Sequence, residues 1–317
     1  MPFEREQIRP LLAELARSGV FLGTSSWKYA GWFNLLYDRS RYSWRGRFGE
    51  ARFERNCLAE YAEVFKTVCL DAAYYKFPDP KQLEGLLSQV PPDFQFALKV
   101  TDEITLRKFS NLPRFGARAG RPNPNFLNAD LFASAFVGPC EPFRKNIGLL
   151  IFEFSRFYPT DYAQGRDFVS QLDGFLGQLP GGWPYGVEIR NRHWLQPGYF
   201  ECLSRHGATH VFNSWEAMPP VGEQIALEKA FTNPSLTAAR FLLKPGRKYE
   251  QAVRNFQPYD RVKEENNEAR AAGRKLVADG VAASPQRKTF LYVNNRLEGN
   301  ALHTISAMIQ DRSTSTT

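Results

Sequence analysis

A chain of 317 residues, 43% of them hydrophobic and 14% aromatic, can bury a large core, and it is long for one domain unless the architecture is an α/β barrel. Its net charge of +8, with a pI near 9.3, favours anionic partners without distinguishing a phosphorylated metabolite from nucleic acid. No run approaches the roughly 18–20 apolar residues of a membrane span, MPFEREQIRP lacks the apolar region of a secretory signal, and the four cysteines form no CxxC pair, so we expect a cytoplasmic protein with reduced thiols and no membrane partner.

An N-terminal helix is predicted before the first strand, because Ile8, Leu11, Leu12 and Leu15 share one helical face. After it, short β-branched or aromatic runs alternate with longer segments of helical periodicity. The predicted strands are 20–27, 67–75, 94–101, 147–155, 185–191, 209–215, 240–246 and 289–295. The predicted helices are 53–66, 80–89, 128–137, 161–179, 197–206, 223–230, 260–278 and 299–310, with Asn128 and Asp161 as N-caps of two of them.

Eight strand–helix alternations in about 300 residues predict a single α/β domain, a (β/α)₈ TIM-type barrel over residues 1–317. Its core is expected at about 20–310, its long loops after strands one and three, and a frayed tail at 311–317. A doubly wound open sheet is the alternative. It usually has a GxGxxG turn after its first strand, and GTSSWKYAG does not match that pattern.

Polar residues end nearly every predicted strand. In a barrel these carboxyl ends converge on the face that carries the active site, although strand ends that meet only water would also be polar. The polar or aromatic end residues are Ser25, Ser26 and Trp27; Asp71, Tyr74 and Tyr75; Lys99; Glu153 and Ser155; Glu188 and Arg190; Asn213 and Trp215; Lys244; and Asn294, Asn295 and Arg296.

The stretch YGVEIRNRHWL places Glu188 and Arg190 on one strand face and Val187 and Ile189 on the other. An exposed antiparallel edge would explain this pattern, and so would a barrel interior. In an interior, Arg190 would keep Glu188 ionised, or both would bind one polar ligand. A purely structural ion pair is the alternative.

These patterns predict an enzyme, a hydrolase, lyase or isomerase, that acts on a small anionic or phosphorylated metabolite. Glu188 is expected as general acid or base, with Lys99 and Arg190 binding the anion. No metal or cofactor is indicated, since cations accompany the carboxylates and Gly207 interrupts the spacing of Cys202, His206 and His210. The candidate catalytic residues are Glu188, Lys99, Asp71 and Glu153. The candidate ligand-binding residues are Arg190, Ser25, Trp27, Tyr75, His193, Asn213, Lys244, Asn294, Asn295 and Arg296.

Two arginine-rich loops support a different hypothesis. Residues 39–55 carry six arginines against two acids, and residues 104–125 carry five cations and no acid. Such loops on the face of the predicted site would suit nucleic acid, whose binding depends on phosphate contacts. Two solvated loops would look the same, and a non-catalytic barrel that binds a partner is a third hypothesis. The sequence carries no signal for oligomeric state.

Five motifs in order resemble the YecE-like proteins, a family labelled a domain of unknown function: GTSSW at 23–27, LDAAYYKFP at 70–78, FALKVTDEIT at 96–105, VEIRNRHW at 187–194 and VNNRLEGNA at 293–301. FNSWEAMPP and the segment beginning KPGRKYEQAV resemble a longer-looped branch. The resemblance implies a TIM-type barrel with a polar cleft at the strand ends, and no particular reaction. It also implies site positions at Gly23, Thr24, Ser25, Trp27, Lys99, Glu188, Arg190, Asn294 and Asn295.

The chain departs from the commoner family pattern on two strands. Strand two has Cys69 and Asp71 where the family often has Glu-x-Asn, and strand four has Glu153 where glutamine is frequent. These differences argue against the assumption that all branches of the family bind one substrate.

Overall fold

The computed structural model describes residues 3–309 and confirms the TIM-type barrel. Eight parallel strands pair with their neighbours in chain order, and the last closes on the first. They are β1 (Val20–Thr24), β2 (Thr67–Leu70), β3 (Gln95–Lys99), β4 (Ile147–Glu153), β5 (Tyr185–Glu188), β6 (Thr209–Ser214), β7 (Leu236–Phe241) and β8 (Lys288–Val293). The predicted frayed tail, 311–317, lies outside the described residues.

Helices surround the barrel. They are α1 (Arg5–Arg17), α2 (Glu50–Ala62), α3 (Ala72–Tyr75), α4 (Pro80–Leu87), α5 (Asp102–Thr105), α6 (Ala129–Leu131), α7 (Gly138–Cys140), α8 (Gly165–Leu176), α9 (Pro197–Arg205), α10 (Val221–Ile225), α11 (Tyr249–Phe256), α12 (Asn267–Ala282) and α13 (Ala301–Ile309). A short hairpin, Ser43–Trp44 with Arg47–Phe48, projects from the loop after β1. Within residues 3–309, none of these helices combines the length and apolar character needed to cross a bilayer.

The predicted N-terminal helix is present as α1, and its apolar face packs on the barrel. Ile8, Leu12 and Leu15 are buried, as the helical spacing predicts. Leu11 is the exception: it is 38% exposed, because it lies at the flank of the buried stripe.

The barrel interior is mainly apolar towards the amino-terminal ends of the strands and polar at their carboxyl ends. Phe21 on β1 and Phe290 on β8 stack with ring centroids 4.8 Å apart. Small and medium side chains such as Cys69 and Ala238 belong to the same apolar cluster. Because alternate residues of each strand face inward, the last inward positions bring charged side chains together at the carboxyl ends of the strands.

β1 and β2 form the seam of the barrel, with fewer paired residues than any other two neighbouring strands. These strands pair only at Thr24 and Val68, whereas β1 pairs with β8 along its whole length. The hydroxyl of Tyr61 bridges the seam: it accepts from Thr24 N at 3.0 Å and donates to Thr67 O at 2.9 Å. A Cβ at Gly23 would lie 2.2 Å from that same Thr67 carbonyl oxygen, so the close approach requires glycine.

The predicted boundary of β7 was wrong by about four residues. The strand is Leu236–Phe241 and not 240–246, so Arg240 points into the barrel and Lys244 lies in the following loop. The end of the second predicted strand was also wrong, because residues 72–75 form the helical turn α3.

The helix predictions were less accurate at their ends. Asn128 is an N-cap, with its Oδ1 accepting from Leu131 N at 2.9 Å. Asp161 is not, because α8 begins at Gly165 behind a capping box formed by Gln164 and Asp167. The helix predicted at 260–278 is α12, and α11 was not predicted.

Candidate active site

A layer of six charged side chains closes the carboxyl end of the barrel. They come from the carboxyl ends of β2, β3, β4, β5 and β7. Glu153 on β4 and Glu188 on β5 are neighbouring positions in the register of the two strands. Three are carboxylates and three are cations, which makes the layer neutral as a whole. We call it the charged layer: Asp71, Lys99, Glu153, Glu188, Arg190 and Arg240.

Glu153 is the centre of the charged layer. Its Oε2 lies 3.2 Å from Lys99 Nζ and 3.2 Å from an Arg190 guanidinium nitrogen, and it also accepts a hydrogen bond from Arg240. Burial by itself would raise the pKa of Glu153, but the three adjacent cations outweigh burial and hold that pKa well below its usual range. Glu153 is therefore ionised at neutral pH.

Glu188 lies deeper and is not exposed to solvent. Its Oε1 is 2.5 Å from Arg190, and its Oε2 accepts from Arg240 at 2.7 Å. Arg190 also donates to Asn213 Oδ1 at 3.0 Å and lies 4.3 Å from the ring centroid of Trp215. The VEIR pattern thus belongs to the barrel interior, and its two charges form an ion pair there.

Asp71 forms the edge of the layer that solvent reaches, and the buried Lys99 lies next to it. The Asp71 side chain is 38% exposed, and its Oδ1 lies 3.7 Å from Lys99 Nζ. Lys99 also lies 4.2 Å from the ring centroid of Tyr74. Burial alone would lower the pKa of Lys99, but Glu153 and Asp71 raise it above its ordinary value, so the side chain is an ammonium ion and not the neutral amine that an imine would need.

Two residues of this site were not predicted from the sequence. Arg240 was assigned to the start of a strand, although the alternation of Leu236, Ala238 and Arg240 on one face is a signal that could have identified it. Gln224 on α10 is fully buried, accepts from Asn213 N at 3.2 Å and donates to Asn213 O at 2.6 Å. Nothing in the sequence around Gln224 indicates this contact, because it joins a helix, α10, to a strand, β6.

The predicted residues that follow β1 and β8 lie at the same end of the barrel as the charged layer. Ser25 and Trp27 are buried, and neither Ser25 Oγ nor Trp27 Nε1 has a hydrogen-bond partner among the described residues. Asn294 Oδ1 accepts from Arg296 N at 3.0 Å, which orders the turn after β8. Asn295 Oδ1 accepts from Ala301 N at 2.7 Å and so holds the first turn of α13.

Four further predicted site residues are also not part of the charged layer. Lys244 is exposed and pairs with Glu264 at 2.8 Å, because β7 ends earlier than predicted. His193 is exposed and lines a separate cavity of about 270 Å³ between the starts of α8 and α9. Tyr75 is 62% exposed, next to Arg114, and Arg296 lies over the ring of Tyr249 at 4.6 Å.

The arginine-rich loops are partly occupied by internal contacts. Arg41 pairs with Glu63 at 2.7 Å, Arg118 pairs with Glu103 at 2.8 Å, and Arg114 pairs with Asp102. Arg45 and Arg47 differ, since they are exposed at the hairpin after β1. Among residues 3–309, no group of three or more His, Cys, Asp or Glu side chains is arranged to hold a metal ion.

The closed parallel barrel, with its polar residues at the carboxyl ends of the strands, defines a TIM-barrel protein whose candidate site lies where such proteins carry theirs. Residues 21–316 match the family described as "Protein of unknown function DUF72", and the chain belongs to that family. The predicted resemblance to the YecE-like proteins is thereby confirmed.

Three relatives illustrate the family. The UPF0759 protein YunF of Bacillus subtilis (strain 168) is 24% identical over 188 residues, which cover 58% of this chain and 61% of YunF. The crystal structure of a DUF72 family protein from Enterococcus faecalis V583 has a TM-score of 0.61 at 18% identity, covering 93% of this chain and 98% of the other. One from Thermotoga maritima MSB8 has a TM-score of 0.56 at 18% identity, with the same coverage. At this identity the two structures support the fold alone.

Proposed function

We propose that this protein is an enzyme that acts on a small anionic metabolite at the charged layer. The observation that carries the proposal is the convergence of Lys99, Arg190 and Arg240 on one oxygen of Glu153, next to a solvent-accessible Asp71. Buried ion pairs contribute little to stability compared with apolar packing of the same volume. Six charges at the carboxyl end of a barrel are therefore better explained by function than by folding.

The geometry supports different roles for the outer and inner residues. Asp71 is the accessible carboxylate and is proposed as the general base or acid. Lys99, held as an ammonium ion, is proposed to bind the anionic group of the substrate. Glu188 was predicted as the acid or base, but its burial between Arg190 and Arg240 supports a positioning role for it.

The charged layer is neutral, so the support for an anionic substrate comes from cations at the rim of the barrel, beyond the carboxyl ends of the strands. Cations follow the ends of several strands and are exposed to solvent. They are Lys28 after β1, Lys76 after β2, Arg156 after β4 and Arg192 after β5. Such a rim raises the local concentration of an anion. Proton transfer by Asp71 beside a fixed ammonium suits a hydrolase, lyase or isomerase.

The proposal predicts that a metabolite panel will stabilise the protein through Asp71 and Lys99. In thermal-shift measurements with phosphorylated sugars, sugar acids and nucleotides, a ligand at 100 times its dissociation constant adds about 2.7 kcal/mol, or roughly 5–10 °C in a chain of this size. Asp71→Asn and Lys99→Met should reduce the shift and abolish any turnover of that ligand.

Two variants at the opposite end of the barrel serve as controls. Asp93→Asn and Lys145→Met change exposed residues that precede β3 and β4, and they should keep the full response. Turnover of the ligand that survives in both Asp71→Asn and Lys99→Met would show that the active site lies elsewhere.

One observation favours nucleic acid as a second candidate partner. Trp44 is 66% exposed at the hairpin after β1, with Arg45 and Arg47 beside it and Arg52 over its ring at 5.7 Å. An exposed aromatic ring among free arginines can stack on a base while the cations contact phosphates. Binding of a fluorescent oligonucleotide that is weakened by Trp44→Ala tests this candidate.

A further inference from the structure

The ends of β2 and β3, which supply Asp71 and Lys99, also supply the walls of a separate cavity. Its volume is about 330 Å³, which is within the range of pockets that bind small molecules. Tyr75 and Lys76 line one side, Asp102 another, and the 113–118 turn closes it with Arg114, Phe115 and Arg118. The cavity adjoins the charged layer through Tyr74, whose ring lies 4.2 Å from Lys99 Nζ and 5.8 Å from the Arg114 guanidinium.

Arg114 is held in place across this cavity. Its guanidinium pairs with Asp102, which is only 4% exposed. The same group lies 4.2 Å from the ring centroid of Phe115 and 5.0 Å from that of Tyr75. A guanidinium presents five N–H donors in a plane, so the pairing with Asp102 fixes its position without using all its donors.

The lining combines aromatic surface with a small excess of positive charge. Tyr75 keeps 62% of its surface exposed although it borders a cavity. The lining has three cations, Lys76, Arg114 and Arg118, and two carboxylates, Asp102 and Glu103. Arg114 and Arg118 pair with these carboxylates, whereas Lys76 forms no ion pair with any residue in the 3–309 range. Arg114 already lies against the ring of Tyr75, at 5.0 Å from its centroid. A flat ring can stack on the remaining exposed surface of Tyr75, and a negative group attached to it can reach Lys76 and the unused donors of Arg114.

We propose that this cavity binds a planar aromatic group that carries a negative charge, such as a nucleobase with its phosphate or an aryl phosphate. The inference rests on the proposed function in one respect: it assigns the cavity to the part of the substrate that does not react. A substrate held here by its ring would present its other end to Asp71 and Lys99.

The test is saturation-transfer NMR and calorimetry on the full chain with three probes: AMP, CMP and 4-nitrophenyl phosphate. We expect at least one probe to bind through its ring protons, and to bind more tightly than adenosine or inorganic phosphate alone. Tyr75→Leu and Arg114→Ala should each weaken that probe at least about tenfold. Tyr158→Leu is the matched control, because Tyr158 is another tyrosine, 57% exposed, with an arginine over its ring.

Several outcomes would overturn the inference. They are the absence of binding by all three probes, equal binding by inorganic phosphate, and unchanged binding in Tyr75→Leu, whose exposed side chain can be replaced without disturbing the fold. The readout is binding and not turnover. A failure here is therefore distinct from a failure of the proposed function, which is judged by Asp71→Asn and Lys99→Met.

Discussion

Protonation of Glu153 is linked to folding because one of its oxygens contacts three cations in the folded chain. The pKa of Glu153 is lower in the folded state than in the unfolded state. A carboxyl group with a depressed folded pKa stabilises the protein above its unfolded pKa, and that contribution is lost as the pH falls towards the folded pKa. The relevant range begins near 4.5, the ordinary pKa of a glutamate side chain, and extends downwards.

We therefore predict that Glu153→Gln destabilises the protein by about 3–5 kcal/mol at pH 7, since it leaves three buried cations without their shared partner. The difference between wild type and variant should shrink by about 1.4 kcal/mol for each pH unit below 4.5. Urea unfolding at pH 7 and pH 3 measures both values.

A penalty of the same size at both pH values would contradict the linkage. Glu201→Gln is a matched control. Glu201 is a half-exposed glutamate on α9 that pairs with Lys229 at the surface, and exposed pairs of that kind contribute at most about 1 kcal/mol.

At the scale of the elements, the β1–β2 seam depends on glycine. Ala at position 23 would place a Cβ 2.2 Å from the Thr67 carbonyl oxygen, which is backbone and cannot rotate away. The strands would have to separate where only Thr24 and Val68 pair and where Tyr61 bridges them. We predict that Gly23→Ala lowers the free energy of unfolding by about 3 kcal/mol or more.

Chemical denaturation of Gly23→Ala and Gly85→Ala provides the comparison. Gly85 lies inside α4 with nothing within 4 Å of a Cβ at that position, so alanine there should raise the free energy of unfolding by about 0.4–1 kcal/mol. Equal effects of the two variants would show that the seam tolerates a wider spacing.

The barrel could be predicted from the sequence because its strands are short, apolar and regularly separated by helical segments. Glu153, Glu188, Arg190 and Lys99 could be predicted as well, since each alternates with apolar neighbours at the end of a strand. Asn213 and Ser25 differ, because each follows an apolar run and has a polar neighbour, Ser214 or Ser26. In all of these strands polar positions lie at the carboxyl end.

The end of β7 is ambiguous in the sequence for a physical reason. LTAARFLLK contains charges at both Arg240 and Lys244, and either could mark the end of the strand. Pairing of Arg240 with Asn213 on β6 and with Tyr292 on β8 settles the register, and that information is not local. Gln224 was missed for the same reason, because its contact with Asn213 depends on how α10 packs against β6.

At the scale of the whole molecule, a net charge of +8 does not translate into a uniformly basic face. Arg41, Arg114 and Arg118 are neutralised by carboxylates, and the charged layer is balanced. Arg45 and Arg47 are exposed at the hairpin next to Trp44, and other exposed cations follow β1, β2, β4 and β5. The two candidate functions therefore depend on different parts of the molecule.

This separation predicts how salt distinguishes the two functions. If nucleic acid binds at the hairpin, log affinity for duplex DNA should fall linearly with log salt, by roughly 0.9 per phosphate contact. Arg45→Ser with Arg47→Ser should reduce that slope by about 2, or about 1 for each arginine. The same double variant should leave the response to small anions at Asp71 and Lys99 unchanged, because the hairpin takes no part in the charged layer.

Fluorescence anisotropy with a labelled duplex at several salt concentrations measures the slope. Lys145→Ser with Lys288→Ser is the matched control, since both lysines are exposed at the amino-terminal end of the barrel. A slope that falls equally in both double variants would mean that DNA is attracted by total charge and not by the hairpin. Absence of binding at low salt would remove nucleic acid as a partner and leave the enzyme hypothesis alone.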